Sequence, residues 1–185
     1  MADIKILNPD ALGKPLGQYS HLTRVKASEF VFIAGQVGVD SNGKVVGDGD
    51  FDAQCVQTFA NIEAALKSVG ADWGNIVQFT TYMVHSQDIP KFMKYRLREF
   101  PKMFPGGAYP PNTLLMIDRL VQEALLVEVQ AVAALYLSRR SSPRKRGPSL
   151  FCQKLDSRFP PTRSALRRTQ TRRSSRSGAK AGSRE

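Results

Sequence analysis

Cysteine and histidine are scarce in this chain, with two of each among 185 residues. Cys55 falls in a helical pattern and Cys152 far downstream, so no disulfide framework is expected, and a reduced, cytoplasmic protein is the default reading. No histidine or cysteine pair stands at metal-binding spacing, which argues against a metal site. Long apolar runs are missing as well, none approaching the roughly 18 residues of a membrane span. The start, Met1-Ala2-Asp3-Ile4-Lys5, has no apolar stretch behind a basic one, so neither secretion nor membrane insertion is indicated. Pro105-Gly106-Gly107-Ala108 is not followed by Lys-Ser/Thr, so there is no phosphate loop, and no nucleophile elbow is present.

Positive charge is abundant but unevenly placed. Fifteen of the 27 Lys and Arg residues and two of the 16 Asp and Glu residues lie from Arg139 onward, leaving 12 and 14 before it. Residues 1–138 therefore carry a net charge of −2, although the whole chain carries +11. The basic character that would ordinarily point to nucleic acid belongs to the end of the chain, not to the body. Two domains of unequal kind are expected: a folded body over 1–138 and a basic, disordered tail over 139–185. The tail is rich in Arg, Ser and Pro and has almost no apolar periodicity, so burial cannot offset the cost of ordering it.

In the body, β-branched and aromatic residues at Leu22–Lys26 and Glu29–Val39 predict a β-hairpin, stopped by an Asn42-Gly43 turn. Phe51, Cys55, Phe59, Ile62, Ala65, Leu66 and Val69 recur at threes and fours and predict an amphipathic helix closing on Gly70. Ile76–Val84 has strand composition. A second helix is predicted over Ile89–Met103, with Pro90 in its first turn and Phe92, Met93, Leu97 and Phe100 as its buried stripe. After the loop Phe104–Pro111 come two strands, Asn112–Ile117 and Ala124–Leu137. The order β-β-α-β-α-β-β gives an α+β domain, one sheet with two helices on one face. Its other face is partly apolar, so a homo-oligomer that covers it is expected.

Val31-Phe32-Ile33-Ala34-Gly35-Gln36-Val37-Gly38 is a strand ending in a small-Gly-Gln turn. About ninety residues on stands Leu126-Val127-Glu128-Val129-Gln130-Ala131-Val132-Ala133. Taken alone, each has a bland reading: a tight turn that needs Gly, and a pair of solvated polar residues on a sheet face. Together with Gly17-Gln18-Tyr19-Ser20, they resemble the Rid (YjgF) family of small enamine and imine deaminases. The resemblance covers roughly residues 15–136. It implies a chorismate-mutase-like fold, a homotrimer with pockets at the subunit seams, a small-molecule substrate and no cofactor. The segment Pro143–Phe159 resembles translated intergenic repeats of bacterial genomes, so a read-through frame and a genuine basic arm both stay open.

The resemblance also implies roles. Tyr19 would line the pocket, the Gly35 backbone N–H would help hold the substrate, and Leu114 would form an apolar wall. Strand alternation puts Glu128 and Gln130 on one face. If that face is covered, Glu128 can orient and deprotonate water for attack on an imine carbon. The sequence departs from the family at Asn112, where the deaminases carry an arginine that pairs with the substrate carboxylate. Asn offers donors but no charge and no fixed fork. Altered specificity is therefore expected, unless Arg119 or a tail arginine substitutes. A non-catalytic trimer binding a small ligand or a protein is the alternative. RNA binding or cleavage is a third reading, whose local support is the basic tail.

Overall fold

Asp50 opens the first helix, its carboxylate accepting from the backbone N–H groups of Asp52 and Ala53, which satisfies donors that have no partner inside the helix. The computed structural model describes residues 2–136; the predicted tail lies outside them. The chain runs β1 (Asp3–Leu7), β2 (Leu22–Lys26), β3 (Glu29–Val37), α1 (Phe51–Ser68), β4 (Ile76–Met83), α2 (Ile89–Met103), β5 (Asn112–Met116) and β6 (Val127–Leu135). The α1 helix ends at Gly70, whose φ of 71° is open to glycine at little cost. Pro90 stands in the first turn of α2 as expected.

Four strands form the main sheet in the order β3-β6-β4-β5. β6 is antiparallel to both β3 and β4, and β4 is parallel to β5. Parallel neighbours need a crossover. Helix α2 supplies it between β4 and β5, and α1 carries the chain from β3 past β6 to β4. The mixed α+β fold with two helices is the one expected, with three differences in detail.

The predicted β2–β3 hairpin is absent from the described pairings. β2 pairs instead with β1, from Asp3 opposite Lys26 to Leu7 opposite Leu22, as a separate two-stranded sheet. Ala27-Ser28 lacks the residues that a two-residue hairpin turn demands, while the alternating Ile4 and Ile6 make Asp3–Leu7 a suitable partner. Next, β5 and β6 are not adjacent, because β4 lies between them. Finally, Leu97 is 61% exposed, whereas Tyr95 and Arg96 are buried beside Phe92 and Phe100. Spacings of three and four from Phe92 carry the stripe through Tyr95, Arg96 and Phe100, and leave Leu97 to one side.

Phe51, Cys55, Phe59, Ile62 and Leu66 of α1 pack with Val127, Val129, Ala131 and Ala133 of β6 in one core. Each such Phe, Ile or Leu contributes about 1.5–3 kcal/mol on burial. Rings from both helices and β4 meet there: Phe59 stacks on Tyr95 at 5.3 Å and meets Phe79 edge-on at 6.0 Å. On the opposite sheet face Phe32 is 77% exposed and Phe30 about half exposed. They lie opposite Val132 and Ala134 of β6, and the two rings make an exposed apolar strip on this face.

Candidate active site around Glu128

Glu128 lies in the middle strand pair of the sheet, opposite Val37 of β3 and Tyr82 of β4. Its neighbours Val127 and Val129 are fully buried against the helices, so Glu128 points to the other face, as alternation requires. The β3–β6 register breaks between Ile33 and Gln36, and the ladder skips Ala34-Gly35. At that break the Glu128 side chain lies against the Gly35 backbone. A Cβ on Gly35 would fall inside the Glu128 carboxylate and within 2.8 Å of its Cγ. Glycine is therefore required here for close approach, and the strand irregularity places a backbone turn beside a carboxylate. The carboxyl group is half-buried with no ion-pair partner among the described residues, and this desolvation raises its pKa above the ordinary value.

The entry of the chain into β6 is held by Gln54 of α1, a residue that the apolar periodicity passed over. Its Nε2 donates to the carbonyls of Ala124 at 2.7 Å and Gly47 at 3.2 Å, and its Oε1 accepts from the Leu126 N–H at 2.8 Å. Gln54 is fully buried and aligns the strand two residues before Glu128. Its signal in the sequence was its place at helical spacing between Phe51 and Thr58, inside the apolar stripe.

The other expected residues lie elsewhere in the protomer. Asn112 opens β5 opposite Phe79, and Leu114 stands opposite Thr81. Thr81 is buried and faces the helices together with Val129, so Asn112 and Leu114 share the helix side of the sheet, not the face of Glu128. The Thr81 hydroxyl donates to Asn112 Oδ1 at 2.8 Å, which engages the side chain's acceptor and leaves its amide donors. Leu114 packs against the core. Tyr19 sits in the irregular segment between β1 and β2. Its hydroxyl accepts from the Leu16 N–H at 3.3 Å, and its ring meets His21 edge-on at 6.2 Å. One protomer thus brings Gly35 and Glu128 together, and keeps Tyr19, Asn112 and Leu114 apart from them.

Arg119, named above beside the tail arginines as a source of charge in place of Asn112, is exposed and 3.9 Å from Glu123. A cavity of about 560 Å³ is lined by Ile4, Ile6, Trp73, Met103 and Phe104 among others and includes none of the five predicted site residues. Among the described residues no group of three or more His, Cys, Asp or Glu is placed to hold a metal ion. None of their helices is long and apolar enough to cross a membrane.

The family profile described as Endoribonuclease L-PSP matches residues 9–135. A RutC family protein of Pyrococcus horikoshii is 30% identical over 120 residues, which cover 65% of this chain and 89% of that protein. A 2-iminobutanoate/2-iminopropanoate deaminase of Mus musculus is 26% identical over 130 residues, 70% of this chain and 90% of that enzyme. Among solved structures, the Rid family protein YyfB of Yersinia pestis, of unknown function, superposes with a TM-score of 0.65 at 28% identity, covering 72% of this chain and 99% of that one.

Proposed function

The chain belongs to the Endoribonuclease L-PSP family, the Rid family of the sequence resemblance, and from that premise we propose that it hydrolyses a reactive imine or enamine to a carbonyl compound and ammonia. The observation that carries this reading is the Glu128 carboxylate lying against the Gly35 backbone, with its pKa raised by burial. A carboxylate so placed takes a proton from water at a pH nearer neutrality than an ordinary glutamate. The water oxygen bonds to the C=N carbon as the π pair moves to nitrogen, and protonated Glu128 gives the proton it took to that nitrogen, leaving a tetrahedral carbinolamine and a carboxylate again. Glu128 then moves the remaining hydroxyl proton from oxygen to nitrogen. The C–N bond breaks as C=O forms, and ammonia leaves. The electrophilic carbon comes with the substrate, so the proposed step draws on no cofactor.

The pocket for this step is completed by a second protomer. The apolar strip at Phe30 and Phe32 favours association through the face that bears Glu128. A homotrimer would then set Tyr19, Asn112 and Leu114 of one copy towards Glu128 and Gly35 of the next. Altered specificity follows from Asn112, whose donors are neutral. The test is turnover of imines generated in situ and trapped with semicarbazide, using the native chain and Glu128→Gln. A hydrolase loses at least about 100-fold in rate with the variant. Equal rates, or no turnover of any imine by the native chain, would remove the hydrolase reading in favour of the non-catalytic binder. The RNA reading depends on the tail, outside the described residues, and the net charge of −2 on the body does not favour it.

A further inference from the structure

Helix α2 buries a cation that the fold leaves unpaired. Arg96 is 1% exposed. Its Nε and Nη2 are sealed from solvent without an acceptor among the described residues. Its guanidinium lies 4.7 Å from the Phe100 ring and 5.5 Å from the Phe92 ring. Ring faces attract a cation but do not satisfy N–H donors. A buried charge without a counter-ion is among the most unfavourable features a core can carry, and an unsatisfied buried donor calls for an explanation, of which a bound ion or water is one.

The surroundings of Arg96 are those of the expected pocket. Burial pulls its pKa down to about 10, while Tyr19 and Tyr109 are its electrostatic neighbours; it remains cationic at neutral pH. Tyr19 belongs to the irregular segment between β1 and β2. That segment touches α2 at Gly17, where a Cβ would stand 3.5 Å from Met93 Sδ. Tyr109 lies three residues before Asn112 in the loop that opens β5. Phe100, under the guanidinium, is 6.2 Å from Tyr109 and 6.1 Å from Phe79, and Phe79 is the cross-strand neighbour of Asn112. Arg96 is therefore a fork-shaped donor on the helix side of the sheet, close to the two segments that carry Tyr19 and Asn112. Of the arginines near these segments, Arg119 is exposed beside Glu123 and Arg98 is paired with Asp52 and Glu99.

We propose that Arg96 is the anion anchor of this pocket, its guanidinium taking the carboxylate of a small substrate beside Tyr19 and Tyr109 where Asn112 supplies no charge. A planar monocarboxylate matches the two parallel N–H directions of the fork. The identity of the ligand as the imine substrate rests on the hydrolase reading above; the anion preference does not.

The experiment is calorimetric titration of the full chain with 2-oxobutanoate and with its neutral amide, 2-oxobutanamide. The native chain is expected to bind the carboxylate at least tenfold more tightly than the amide. Arg96→Met, similar in length and uncharged, is expected to lose that preference. Native binding without preference, or unchanged preference in Arg96→Met, overturns the proposal. If Arg96→Met shows no cooperative unfolding, Arg96→Lys decides. It keeps the charge but not the fork, so affinity should fall several-fold with the preference retained, and unchanged affinity overturns the proposal. Glu128→Gln separates the two readings. It should bind 2-oxobutanoate at least as well as the native chain while losing turnover. Full turnover in Glu128→Gln removes the hydrolase reading and leaves the anchor standing.

Discussion

Glu128 sets chemistry against stability at a single side chain. Its pKa is raised by desolvation from an ordinary value of 4.5, so the folded chain holds that proton more tightly than the unfolded one. Stability from this group is then highest below the unfolded value and declines as pH rises through the interval up to the folded value. Glu128→Gln should accordingly melt at or above the native temperature at pH 7, with the gap closing near pH 4, as thermal unfolding at the two values would show. Activity runs the other way. The acid limb of kcat/KM for imine hydrolysis should lie above the pH of an ordinary glutamate, and a limb at or below it would argue against Glu128 as base. Gly35 is the second lever. Gly35→Ala puts a methyl group where the carboxylate lies, and overpacking of this kind costs about 1–3 kcal/mol or displaces the base. Lower melting temperature, lower rate, or both are expected, and a fully active, fully stable variant would show that the contact is unimportant.

At the scale of elements, the site depends on how β6 is delivered to the sheet. Gln54 joins α1 to the segment before β6 through both ends of its amide. Gln54→Ala removes the partner of two part-buried carbonyls, Ala124 and Gly47, and of the Leu126 N–H, each worth up to about 1–3 kcal/mol. A fall in melting temperature is expected together with a reduced rate, because the strand that bears Glu128 loses its tether. Denaturant unfolding with the turnover assay would check this, and a variant that is destabilised yet unchanged in rate would confine Gln54 to stability. Helix α2 illustrates a different point. A stripe at three and four residues placed Phe92, Arg96 and Phe100 on one line, yet Arg96 reads as solvent-facing by residue type. What keeps it inside is two ring faces.

For the whole molecule, the exposed strip at Phe30 and Phe32 is the surface through which copies are expected to associate. Phe32→Glu puts a charge in the centre of that strip. The native chain should elute with the mass of an oligomer, and the variant with that of one chain while still unfolding cooperatively. An oligomer unaffected by Phe32→Glu would move the interface elsewhere, and the seam pocket with it. The charge separation along the chain makes a monomer body with little net charge, which favours self-association over repulsion.

The fold class, both helices, the closing Gly70, the alternation that sets Glu128 apart from Val127 and Val129, and the family were legible in the amino-acid sequence. The helices and strands are local or periodic patterns, so spacing, Gly70 and Pro90 were enough to read them. It took the folded arrangement to show that β2 pairs with β1, that β4 separates β5 from β6, that the Glu128 carboxylate lies on the Gly35 backbone, and that Arg96 is buried without a counter-ion among the described residues. Each of these joins residues far apart in the chain. Strand partners follow from which edges are free after the helices dock, and the state of a charged side chain follows from what surrounds it, which no local pattern records.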